Sequence, residues 1–309
     1  MKNKLLVALV GFLLAMPVAV ATAKDNPKMK PFIMASNAAG EMAGTVEQVT
    51  GKLAAAGFEI AGTYSPYPAA TIVVVTNEGL RQAAAQSDFG GYAAGQRVAI
   101  TDVGGEIQVA FTNPRYMASA YRMKSDLGAV ADALSTALGN QGEFGPDTGM
   151  TDKELRGYHY MFGMEYFDEP SVLAKYDTQA AAIAAVEAGL AEGRSGITKV
   201  YRIDMPGKEE AVFGIAMDGS RGEGTMQDDA YIMSQIDFKP LRSSAHLPYE
   251  MLVSGGKVYA LYARFRIAIN FSDLSMMGSN SFMSIMECPT TIERALTRAA
   301  GGKVKKPST

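Results

Sequence analysis

Met276-Met277-Gly278-Ser279-Asn280-Ser281-Phe282-Met283-Ser284-Ile285-Met286-Glu287-Cys288 puts four thioethers beside the only thiol of a 309-residue chain. Thioether and thiolate sulfur are soft ligands, and Cu(I) is the ion they prefer. Met283, Met286 and Cys288 are therefore the candidate metal ligands, with His159 and His246 as the imidazoles that could join them. The competing reading is packing. Methionine fills irregular gaps, buried cysteine is inert, and the chain carries 19 methionines. On the packing reading no cofactor is expected.

A second set of residues could hold an anion. At a constant offset of 151, Arg115 falls on Arg266, each after a Gly-Gly hairpin (Gly104-Gly105, Gly255-Gly256). Arg115 is expected in the first turn of a helix, where free N–H groups and the dipole favour negative charge. Tyr64 and Tyr201 match at an offset of 137. Together Tyr64, Arg115, Tyr201 and Arg266 are the expected contacts of a small molecule or anion in a cleft between two halves. The alternative is that each arginine makes a surface salt bridge, with Asp88 and Asp237 as partners, and that the tyrosines pack.

A third possibility is acid–base chemistry by carboxylates and histidine. Tyr158 to Phe167 alternates like a strand, with His159, Met161 and Glu165 on one face. At that spacing His159 and Glu165 stand roughly 20 Å apart and cannot touch. The chain has no Gly-x-Ser-x-Gly elbow, P-loop, dinucleotide fingerprint, His-Glu-x-x-His or Cys-x-x-Cys. Two histidines and one cysteine leave little for triads or zinc. A non-catalytic binding or accessory protein is the leading expectation. Soft-metal binding and a carboxylate- or His-dependent enzyme are the alternatives.

The elements that must position these residues are written twice. Val46, Val49 and Leu53 of one helix match Ile183, Val186 and Leu190 of another. The expected fold is α+β: two similar tandem domains, each a twisted mixed or antiparallel sheet backed by helices. The domains are 31–139 and 157–300, joined by a Gly/Asp/Pro-rich linker over 140–156 and followed by a disordered tail over 301–309. Thr45, Asn77 and Asn113-Pro114 are expected helix starts.

Residues 1–23 read as a signal peptide: Lys2 and Lys4, the apolar run Leu5 to Val20, then Ala21-Thr22-Ala23. Without Lys2 and Lys4 the chain keeps 27 basic against 32 acidic residues, a poor match for nucleic acid. A periplasmic or secreted protein, free of the membrane after cleavage, is expected. The exported protein should have an intact mass that begins at Lys24; a retained Met1 overturns this.

The first half also resembles a small bacterial α+β family known as domain of unknown function 302. The resemblance is carried by the helix ending Leu53-Ala54-Ala55-Ala56-Gly57-Phe58, the apolar strand running into Asn77, and the hairpin before Asn113-Pro114. It covers roughly 45–139, and the second half is a more divergent copy. The resemblance implies the fold and no activity.

Overall fold

The computed structural model describes residues 27–304. The expected leader lies outside them. The first half runs β1 (Phe32–Ala39), α1 (Met42–Ala55), β2 (Glu59–Tyr67), β3 (Ala70–Thr76), α2 (Glu78–Ala85), β4 (Gln96–Val103), β5 (Glu106–Thr112), α3 (Pro114–Ala120) and α4 (Gly128–Leu138). Two short elements follow, β6 (Glu143–Phe144) and α5 (Asp152–Arg156). The second half runs β7 (Ser171–Lys175), α6 (Gln179–Ala191), β8 (Ile197–Asp204), β9 (Glu210–Met217), α7 (Asp229–Ile236), β10 (Tyr249–Ser254), β11 (Lys257–Ala260), α8 (Ala263–Asn270) and α9 (Cys288–Ala299).

Both sheets are antiparallel at every pairing, so the fold is α+β. The first has the order β2-β3-β4-β5-β1-β6 and the second β8-β9-β10-β11-β7. Each Gly-Gly turn closes a hairpin in the same register, Val103 opposite Glu106 and Ser254 opposite Lys257. Gly104, Gly105 and Gly255 have the positive φ that such turns need. Asn77 caps α2 by accepting from Leu80 N, and Asn113 caps α3 with Pro114 at the first helical position.

Period-two alternation divides the first sheet into two unlike faces. Ile33, Val73, Val75, Val98, Ile100, Val109 and Phe111 point to one side and are covered by α1 and α4 through Val49, Leu53, Leu134 and Leu138. The other side carries Arg97, Thr101 and Tyr64, and it meets the second sheet. The backs of the second sheet's strands are covered by α6 and α9. The layers are therefore helices, sheet, sheet, helices. The close approach is set by glycine: a Cβ on Gly62 of β2 would stand 2.4 Å from Val200 O of β8.

Three expectations need correction. Tyr158 to Phe167 is not a strand. Gly163, at φ 78°, allows a turn closed by Met164 N to Met161 O at 2.9 Å, and only His159 and Tyr166 form a bridge. The first strand of the second half is instead β7. The stretch 140–156 holds β6, which extends the first sheet beside β1, and α5, which has a complete capping box at Thr151 and Glu154. Thr45 lies inside α1, its hydroxyl bonded back to Glu41 O, and Glu41 takes the cap position.

Candidate functional site

The space between the sheets is filled, with a buried polar network set among apolar side chains such as Ile72, Val74, Val212 and Leu252. Glu250 of β10 sits among three donors. Arg97 Nη1 of β4 donates to its Oε2 at 3.2 Å, Tyr201 of β8 donates to its Oε1 at 2.7 Å, and Arg266 Nη2 lies 3.7 Å from Oε2. Arg97, Tyr201, Glu250 and Arg266 are all fully buried. Arg266 also donates to the carbonyls of His246 and Pro248 and lies over the Tyr249 ring at 4.5 Å. His246 is neutral there: burial, then Arg266 and Arg97, push its pKa well down.

Two further carboxyls face the first half. Asp229 of α7 accepts from the Tyr64 hydroxyl and from Met217 N, while its Oδ1 has no protein partner. Burial outweighs those bonds and raises its pKa to about 7. Asp237 accepts from Ser243 N at 2.8 Å, and Ser244 beside it is reached by Thr101 and Tyr67 of the first half. Burial raises Asp237 to about 6.

The four expected anion contacts do not line one cleft. Tyr201 and Arg266 are inside the buried network, and Tyr64 is held by Asp229. Arg115 is at the surface, paired with Asp126 and Asp132 at 3.3 Å rather than with Asp88. The arginines part company because Arg115 is the second residue of α3 and Arg266 the fourth of α8. Two residues turn a helix by about 200°, so one side chain faces water and the other the interior.

The expected metal set is divided too. Cys288 is buried at the start of α9, its Sγ beside Met226 Sδ at 3.7 Å, and burial pushes its thiol up to about 12. Met283 and Met286 are half exposed. Among the described residues no three of His, Cys, Asp and Glu are grouped to hold a metal.

One of the open spaces among the described residues is a groove of about 300 Å³ between two loops, 157–170 and 271–287, with α8 as its floor. Tyr160, Met161, Ile267, Ala268, Phe271, Met276 and Phe282 line it, with the Arg264 guanidinium at one side. Tyr160 joins the loops: its hydroxyl is 3.0 Å from Met276 Sδ and its ring 5.2 Å from that of Phe282. Arg264 donates to Glu165 through its Nε and Nη2, which is where the Glu165 carboxylate goes instead of to His159. The His159 ring rests on Tyr166 with centroids 4.6 Å apart. Met161, Met276, Met277, Met283 and Met286 are all exposed, and Phe162 is 99% exposed. Met161 and Met276 were within view in the sequence, one on the presumed strand and one in the sulfur-rich stretch. The missing signal was Gly163, whose turn makes the first of these segments a loop.

No family model matches the chain, and no curated protein matches it. Among solved structures it is similar to an uncharacterized conserved DUF302 protein from Bacillus stearothermophilus, at 14% identity and a TM-score of 0.32, covering 35% of this chain and 94% of that one. A likeness of that strength carries no functional argument. The α+β reading rests on strand order and pairing.

Proposed function

We propose that the chain is an exported, non-catalytic binding protein that takes its ligand in the thioether- and aromatic-lined groove between loops 157–170 and 271–287. Of the eleven exposed large apolar side chains among the described residues, seven stand on these two loops. Apolar exposure concentrated on two loops that flank a groove supports reading that groove as a binding surface. Methionine suits the task because its unbranched, polarisable side chain adapts to its partner. The ligand site thus moves from the space between the halves, which is packed, to one end of the second sheet. The repeated element order supports reading the chain as one α+β unit copied in tandem.

An anionic naphthalene-sulfonate dye tests the groove. Native protein should bind it at a single site with micromolar affinity, and Met276→Asp should weaken binding at least about tenfold by placing a charge in the apolar wall. Met276 is half exposed, so the melting temperature should stay within about 2 °C of wild type. Dye binding that is absent from the native protein, or indifferent to Met276→Asp, sinks the reading.

A further inference from the structure

We propose that the outer edge of β7 takes an extended, acidic segment of another polypeptide as a sixth strand of the second sheet. This site is separate from the loop groove and does not depend on it. β7 ends the second sheet and pairs with β11 alone among the described residues. Its counterpart in the first sheet, β1, pairs with β5 on one side and with β6 on the other. Each of the two strands has one break in register, at Ala35 in β1 and at Leu173 in β7. Gly139, just after α4, comes so close to Ala35 O that a Cβ would press on it, and Gly302, just after α9, does the same at Leu173 O. In the first half Gln141 N then donates to Met34 O, Met34 N donates to Gly142 O, and β6 follows. Beside β7 the equivalent strip is a groove of about 490 Å³ between the strand and α9.

The lining suits a strand. Pro170, Val172 and Leu173 form one wall, and Thr290, Arg294 and Thr297 of α9 form the other. Val172 is 47% exposed, although Ser171 and Leu173 on either side of it are buried. An added strand gains affinity from main-chain hydrogen bonds and specificity from what its alternate side chains meet. The five residues of β7 match an extended segment about 17 Å long.

Charge selects the partner. The Ser171 hydroxyl donates to Glu293 at 2.6 Å, so the charges left at the groove are those of Arg294 and Lys303. Arg294 Nη2 reaches Glu223 at 3.3 Å, but Glu223 is shared with Arg298. Farther along the edge Lys175 stands opposite Lys257 in the ladder, a like-charge pair that an added carboxylate relieves. A lysine on an edge strand also repels a second such edge, so another copy of this chain is the poorer occupant.

Fluorescence anisotropy of a labelled seven-residue peptide alternating valine and glutamate tests the edge on the full chain. The peptide should bind with Kd of about 10–100 μM. The same peptide with lysine in place of glutamate, or N-methylated at alternate residues so that it cannot pair, should bind at least about tenfold more weakly. Lys303→Glu, an exposed change, should weaken the glutamate peptide about threefold to tenfold and strengthen the lysine one. Amide signals of β7 and α9 should shift on binding, and those of β2 and β8, which are also terminal strands, should not. Failure of the glutamate peptide to bind, equal binding of the N-methylated one, or indifference to Lys303→Glu overturns the proposal. So does a peptide-free dimer that the glutamate peptide dissociates, which would place a second copy at the edge. Binding seen only after residues 305–309 are removed would assign the edge to the chain's own end and overturns it too.

Discussion

Glu250→Ala is expected to cost about 3–5 kcal/mol of stability, the range measured when one partner of a buried ion pair is removed. Arg97 and Arg266 would then face each other across a sealed space without a counter-charge, and the Tyr201 hydroxyl would lose its acceptor. At about 2–4 °C per kcal/mol for a chain of this size, the melting temperature should fall by roughly 10 °C. Glu250→Gln keeps an acceptor oxygen and should cost less. Gly214→Ala reaches the same network indirectly, since its Cβ would stand 1.9 Å from Tyr201 Cε1 and push the ring off its site. Replacing Arg97, Glu250 and Arg266 together with apolar residues of similar size should cost far less than Glu250→Ala, because no charge is then stranded. Urea unfolding of the series measures all of these. A loss below about 1 kcal/mol for Glu250→Ala would show that water already reaches the pair.

Stability should decrease as pH rises from 5 to 8. Asp229 titrates near 7 and Asp237 near 6 in the folded protein, against 3.8 for a free aspartate. The folded state therefore binds more protons than the unfolded state across that window. Their contribution is full below about pH 3.8 and is lost as pH climbs through 6 and then 7. At 1.36 kcal/mol per unit the two amount to roughly 3–4 kcal/mol between pH 5 and 8, an upper estimate. His246 acts in the opposite sense. Its ring is neutral when folded, so acidification below its free value of 6.5 costs stability. The groups near Asp229 are Tyr64, Asp228 and Arg266, and Arg242 is beside Asp237. Thermal unfolding of wild type and Asp229→Asn at pH 5 and 8 isolates the first carboxyl. The variant should show a flatter pH dependence; equal slopes would mean that Asp229 does not hold its proton.

Much of the fold was legible because its signals are local. Asn77 and Asn113-Pro114 start helices for reasons contained within four residues, and Gly104-Gly105 closes a hairpin by φ alone. The buried network was not legible. Arg97 and Glu250 are 153 residues apart, and at the offset of 151 they fall on Pro248 and Ala99, so matching positions between the halves conceals the pair. Alternation misled at Tyr158 to Phe167, where aromatic residues and Met164 on every second position resemble a strand but Gly163 turns the chain and Phe162 ends in water. The groove was half visible. Its sulfur residues stood out by type, whereas their exposure depends on how two loops meet over α8, which no spacing encodes.

The location of the exposed methionines has a consequence for solubility. They ride on turns and a 3₁₀ segment, and apart from the single bridge between His159 and Tyr166 neither loop contributes to a ladder. Growth of fibrillar aggregates needs sticky side chains and a row of unpaired amides presented together. Here most of the greasy surface is on the two loops, and the edge strands β2 and β7 each show a single large apolar side chain, Ile60 and Val172. A flexible, unbranched side chain on a turn is also a poor seed for stacking, so these two loops are poor templates for fibril growth.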